Sequence, residues 1–273
     1  MKRQTLVLAL LTVLFLSVLG AFIIPSLLRQ PVDHTTMGSS TTSPAQAGVG
    51  PISTTTAVVA PSSSPEGSTN AEARARAIMG QNFFGIEEAI SYFGVHPSPA
   101  DRAALSEIPW SEQTLEEVKD THILVAVFPV SILDMKTMHP NKFNSDRYTR
   151  DSQYEDTEAF LRNKGAAPSW HLVKREAVKD SLSKTWSQEQ TLLGPQEQVP
   201  TARVRTYALL GVFLATGKWP FEPYAYTSIA RCLDVASNGG HVTVGIFEGI
   251  FIRLGWDASA IKGLGLASER KPE

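Results

Sequence analysis

The chain has a single cysteine, Cys232, in 273 residues. One thiol excludes an intrachain disulfide and any metal site built from several cysteines. An excess of charge is lacking too, since 25 basic residues face 27 acidic ones for a formal net charge of −2. That balance argues against a protein whose main work is to neutralise nucleic-acid phosphates, and nucleic acid is not an expected partner. There is no His-Glu-x-x-His pattern, no dinucleotide glycine fingerprint, no phosphate-binding glycine loop and no calcium loop. Neither a cofactor nor a metal is therefore expected. No internal repeat is evident, and from Gln30 to Asn70 there is no Lys or Arg at all.

What is present begins with a membrane signal. Lys2 and Arg3 precede an apolar run from Leu6 to Leu28, broken only by Thr12, Ser17, Gly20, Pro25 and Ser26. The run is roughly 23 residues, longer than the apolar region of a signal peptide and long enough to span a bilayer. The expectation is an uncleaved, single-pass anchor over residues 1–29. Its basic N-terminus would face the cytoplasm and the rest of the chain would be extracytoplasmic. The alternative is secretion after cleavage near Gly20, which would leave Ala21 to Ile24 as an exposed apolar terminus. The lipid bilayer is thus the first expected partner.

Residues 30–70 are dominated by Ser, Thr and Pro, with runs such as Thr54-Thr55-Thr56 and Ser62-Ser63-Ser64-Pro65. So polar a segment cannot bury enough apolar surface to offset its ordering entropy, and a disordered stalk is expected. As a coil it would reach roughly 35 Å root-mean-square.

A folded domain is expected over 71–256, followed by a flexible C-terminal tail over 257–273. The fold class expected is α+β: one domain, with helices packed on one small, mainly antiparallel sheet. Phe84, Ile86, Ala89, Ile90 and Phe93 have helical spacing, and Gly94 suits the end of that helix. Ser98-Pro99-Ala100-Asp101 reads as a capping box opening a second helix, and Ser111 opens a third. Ile123 to Phe128 is an apolar run of strand length, and Ser169 to Arg175 is a second strand. Residues 201–216 form the expected central buried helix, apolar on all sides through its middle and closed by Gly217. Ser237-Asn238-Gly239-Gly240 signals a hairpin. With Ser237 opposite Gly240, Val235 would face Val242, Leu233 would face Val244 and Arg231 would face Ile246. A bulge is expected at Glu248-Gly249, before a strand over Ile250 to Trp256.

Candidate chemistry is thin. His122 and His241 each open an expected strand, and Asp120 or Asp234 would be the carboxylate partner for general acid–base work. The other histidines of the domain, His96, His139 and His171, read as loop or core residues. A Cys232–His241 dyad is disfavoured, because the hairpin register separates the two along the sheet. Ser181-Leu182-Ser183-Lys184 has the spacing of an acylated serine and its lysine, but without the accompanying motifs. Trp219, Phe221, Tyr224 and Tyr226 crowd four aromatic rings into a few residues after the central helix, which is a candidate ligand-binding surface.

The stretches Asn82-Phe-Phe-Gly-Ile-Glu-Glu-Ala-Ile, Lys119-Asp-Thr-His-Ile-Leu-Val-Ala-Val-Phe-Pro and Pro200-Thr-Ala-Arg-Val-Arg-Thr-Tyr resemble those of a group of uncharacterised bacterial proteins. The resemblance covers residues 82–256 and implies a bacterial setting and a domain boundary near Asn82. It implies no reaction and no site residues. Two readings of function are open. One is a membrane-tethered interaction module of a bacterial envelope that binds a protein, peptide or glycan. The other is an extracytoplasmic hydrolase with a His/carboxylate site.

Overall fold

The computed structural model describes residues 66–143, 157–221, 229–247, 251–257 and 263–273. The anchor over 1–29, most of the expected stalk, Tyr224, Tyr226 and the bulge at Glu248-Gly249 lie outside the described residues. No helix among the described residues is long and apolar enough to cross a membrane.

Helix α1 (Glu66–Met79) opens before Ala71, within the segment expected as stalk, and is followed by β1 (Phe83–Phe84) and α2 (Ile86–Phe93). Next come α3 (Pro99–Ala104), α4 (Glu112–Val118), β2 (His122–Val127), α5 (Ile132–Met138) and α6 (Ala159–Arg162). After β3 (Ser169–Lys174) follow α7 (Trp186–Gln190), β4 (Glu197–Gln198) and α8 (Ala202–Thr216). The chain closes with β5 (Ala230–Val235), β6 (His241–Phe247), β7 (Phe251–Asp257), β8 (Gly265–Leu266) and β9 (Glu269–Arg270). Local chemistry sets many of these boundaries. Ser98, Ser111, Ser131, Thr185 and Thr201 each accept a backbone N–H of the first turn that would otherwise lack a partner, so they cap α3, α4, α5, α7 and α8. Helices α2 and α8 stop where Gly94 and Gly217 turn left-handed, at φ 59° and 72°.

The α+β class stands, but there are two mixed sheets rather than one. The first has the order β1-β2-β3-β9-β4, parallel only between β1 and β2, and the second the order β7-β6-β5-β8, parallel only between β5 and β8. Helix α8 packs against strands of both, which is why its middle is apolar all round. Tyr207, Ala208, Leu209 and Leu210 are all fully buried, and each large side chain contributes about 1.5–3 kcal/mol. Phe84, Phe93 and Tyr207 form an aromatic cluster over β1. Gly211 permits that approach, because a Cβ there would stand 3.0 Å from the Phe84 ring. The buried Arg205 ties the layers together by donating to the carbonyls of Val244 in β6 and of Lys174 and Arg175 at the end of β3.

Two further expectations are corrected. The hairpin is displaced from the expected register, because the turn holds three residues instead of two. Ala236 and Gly240 pair through the Ala236 N–H, Gly239 takes φ 83°, and Val235 lies opposite His241. An irregularity between Arg231 and Val235 then puts Arg231 opposite Thr243. Leu233 and Val235, which the expected register sets opposite Val244 and Val242 on one apolar face, are each 53% exposed, whereas Arg231 is buried against Glu189 at 2.6 Å.

The second correction is the C-terminus, where the residues after 262 are not a tail. Leu264, Leu266, Ala267 and Ser268 are buried, and the chain passes from the second sheet at β8 to the first at β9, between β3 and β4. Glu273 is bolted to the start of α4, where its carboxylate accepts from the Thr114 hydroxyl and the Ser111 N–H. Two-residue strands carry no periodicity, so composition alone reads them as coil.

Candidate functional site

Helix α8 borders a cleft at each end. At its C-terminal end Val212, Phe213, Thr216 and Gly217 meet Gln81, Asn82, Arg175 and the segment from Lys218 to Phe221 around a cleft of about 480 Å³. Of the aromatic residues expected as a binding surface, Trp219 and Phe221 line this cleft, whereas Tyr224 and Tyr226 lie outside the described residues. Gly217 ends the helix and turns the chain so that Trp219 stacks on Phe213, with centroids 4.1 Å apart and planes at 24°. The other element that fixes Phe213 is Lys142, whose Nζ lies 4.5 Å from the ring centroid. Arg175 is anchored through one guanidinium nitrogen on the Asp120 carbonyl at 2.8 Å. Its Nε, like the Trp219 Nε1, is buried and has no hydrogen-bond partner among the described residues. The cleft thus joins an indole, a guanidinium, the Lys218 ammonium and two side-chain amides.

The four residues expected for acid–base work are not brought together. His122 is buried at the start of β2, with Nδ1 2.8 Å from the Thr121 hydroxyl. Burial, reinforced by the Lys174 charge, pushes its pKa down to about 4. Asp120 is exposed and borders a separate cleft with Thr121, Lys174 and Leu182. Asp234 caps helix α8, its Oδ2 accepting the Ala202 N–H. His241 stacks on Trp186 with centroids 3.6 Å apart, its Nδ1 has no partner among the described residues, and burial followed by the Arg231 charge lowers its pKa. Cys232 is fully buried, and its thiol is pushed up to about 12 by that burial, so it is not a thiolate nucleophile. Ser181 is likewise buried: its hydroxyl donates to the Val178 carbonyl and accepts the Leu266 N–H, a structural role.

The histidine–carboxylate pair that the fold does build was not expected. On β3, His171 Nδ1 stands 2.7 Å from Glu269 Oε2 on β9, and His171 Nε2 stands 3.0 Å from the Ser169 hydroxyl. Gln198 on β4 donates to the other Glu269 oxygen at 2.8 Å. Ser169 and His171 share a face because side chains alternate along a strand. Glu269 reaches the same face because β9 pairs with β3, Val173 opposite Glu269. Three members of the group, His171, Gln198 and Glu269, lie along the second cleft, about 490 Å³, at the N-terminal end of α8, and Ser169 stands outside its lining, within hydrogen-bond reach of His171. The three line it together with Leu193, Val199, Val204 and Leu233. Its one visible sequence trace is the Ser-x-His spacing of 169 and 171, since Gln198 and Glu269 are remote in the chain.

Comparison with protein-family models, with curated proteins and with solved structures gives no match.

Proposed function

We propose that the protein is a membrane-tethered binding module of a bacterial envelope, with its folded domain extracytoplasmic and its ligand an envelope glycan that carries an acidic group. The observation that carries the reading is the cleft at the C-terminal end of α8. Trp219 offers a partly exposed indole for stacking against a sugar ring. Arg175 and Lys218 supply positive charge for a carboxylate or phosphate, and Gln81 supplies an amide for hydroxyl groups. The sequence supports the setting, with an apolar run over Leu6 to Leu28 to hold the chain at the bilayer and a polar stalk to lift the domain from it.

The test is a titration of the full chain, in detergent micelles, with soluble acidic and neutral fragments of envelope glycan, followed by tryptophan fluorescence. Saturable quenching by the acidic fragments, lost in Trp219→Ala and weakened at least about tenfold in Arg175→Gln, is expected. Quenching that survives both substitutions, or no saturable binding, would reject the cleft as the site. Topology is read separately, by adding protease to intact cells that carry a C-terminal tag. A protected tag would overturn the extracytoplasmic placement.

A further inference from the structure

The second cleft carries chemistry that binding alone does not use. We propose that Ser169, His171 and Glu269 form a serine acyl-transfer site that hydrolyses carboxylic esters with an apolar acyl chain. The proposal is independent of the aromatic cleft at the other end of α8.

The geometry has the order such chemistry requires. A hydroxyl lies within hydrogen-bond reach of one imidazole nitrogen, and a carboxylate within reach of the other, at 3.0 and 2.7 Å. A carboxylate only accepts, so Glu269 orients the ring with its proton on Nδ1 and leaves Nε2 free to accept from Ser169. Glu269 is held in turn by Gln198, and its side chain is only 6% exposed against 20% for His171. Orientation is passed along the line from the buried Glu269: Gln198, exposed on β4, donates to one of its oxygens, the other fixes His171, and His171 addresses a serine that is exposed at the start of β3. An ion pair kept only for stability would not need the serine. Beside the line, Leu193, Val199, Val204 and Leu233 wall the cleft with apolar side chains, and Leu233 remains half exposed at its rim. Those four side chains offer an acyl chain an apolar contact, while the Glu197 carboxylate and the Lys271 ammonium stand on the same wall with opposite charges.

In the step, Ser169 Oγ forms a bond to the ester carbonyl carbon as its proton passes to His171 Nε2. The tetrahedral adduct breaks its bond to the leaving oxygen, which takes that proton and departs as an alcohol, leaving an acyl-serine. Water then attacks the same carbon, giving its proton to His171. The Ser169 oxygen departs, recovers that proton, and the carboxylic acid is released.

The experiment treats the full chain in detergent micelles with a fluorophosphonate, and separately with the p-nitrophenyl esters of butyrate and octanoate. The expected result is one phosphonyl adduct, mapped to Ser169, and ester hydrolysis that falls at least about a hundredfold in Ser169→Ala. Glu269→Gln should slow both labelling and hydrolysis at least about tenfold. Ser169 is exposed, so its substitution leaves the fold in place, and circular dichroism checks both variants. Failure to form an adduct at Ser169, hydrolysis unchanged in Ser169→Ala, or labelling unchanged in a folded Glu269→Gln would each overturn the proposal. None of these outcomes bears on glycan titration at the aromatic cleft.

Discussion

The two ends of helix α8 border clefts of similar size, about 480 and 490 Å³, yet their walls are held by different means. At the C-terminal end most of the wall is continuous with the helix itself: Val212 to Gly217, then Lys218 to Phe221, with Trp219 stacked on Phe213. Its geometry follows from one helix stop and one turn. At the N-terminal end the wall is assembled from β3, β4, β5, β9, α7 with the segment after it, and the first turn of α8, places that meet only when the whole domain is folded. The polar line there is correspondingly cross-linked: His171, Glu269 and Gln198 join three neighbouring strands by two side-chain hydrogen bonds. Glu269, the buried member, has both oxygens partnered, and leaving it half-partnered would cost more than an apolar substitute. The contrast is between a surface that one segment can present and a site that requires global order.

Removing residues 264–273 should separate the two ends most sharply and produce the largest effect. The shortened chain loses β8 and β9, the burial of Leu264, Leu266 and Ala267, and the attachment of Glu273 to α4. Truncating a buried leucine alone costs about 2–5 kcal/mol, so losing two short strands should remove most of a domain's stability. Thermal unfolding followed by circular dichroism should lose its cooperative transition. A shortened chain with an unchanged melting temperature would show that the C-terminal strands do not hold the first sheet together.

An intermediate effect is expected from acid. His122 is buried neutral, with its folded pKa lowered to about 4 from an ordinary 6.5. Between those values the unfolded chain takes up a proton that the folded chain refuses. The stabilisation is therefore complete above about pH 6.5 and is lost as the pH falls towards 4. Over that window it amounts to about 3 kcal/mol. Urea unfolding at pH 7 and pH 4.5 measures it as the difference between the wild-type slope and that of His122→Asn, which removes the titrating ring. Equal pH dependence in the two proteins would show that His122 is not the group responsible. His122 and Lys174 are paired partners on β2 and β3, so this loss should weaken the N-terminal site through β3 before it reaches the aromatic cleft.

The same contrast governs how far the architecture could be read from the chain. Helix α8 was legible because Thr201 and Gly217 punctuate it and because its apolar middle has no polar face. The caps at Ser98 and Ser111 were legible for the same local reason. Trp219 and Phe221 stood out because they are neighbours in sequence. The hairpin was legible as a turn but not in register, since Asn238-Gly239 fits a two-residue loop as readily as the three-residue loop that Glu158 secures by accepting from Ser237. Glu269 was not legible at all. Its partners come from β3 and β4, and a strand of two residues has no period by which to predict its pairing. Residues 264–273 fall within the expected flexible tail because their burial comes from two sheets that local sequence does not announce.

The smallest expected effect sharpens the comparison at the level of one side chain. Leu233 is 53% exposed, so Leu233→Ser should change stability by no more than about 0.5 kcal/mol, within the range for surface substitutions. Its side chain nonetheless lines the N-terminal cleft beside Leu193, Val199 and Val204. If that wall holds an acyl chain, the variant should raise KM for the octanoyl ester severalfold, change KM for the butyryl ester less, and leave kcat for both within about twofold. The longer chain reaches the rim that Leu233 forms and the shorter one does not. Glycan titration at Trp219 should be indifferent to the change, because no wall is shared between the two clefts. A variant that alters both esters equally would place the acyl chain elsewhere, and one that alters the Trp219 titration would show that the two ends of α8 communicate.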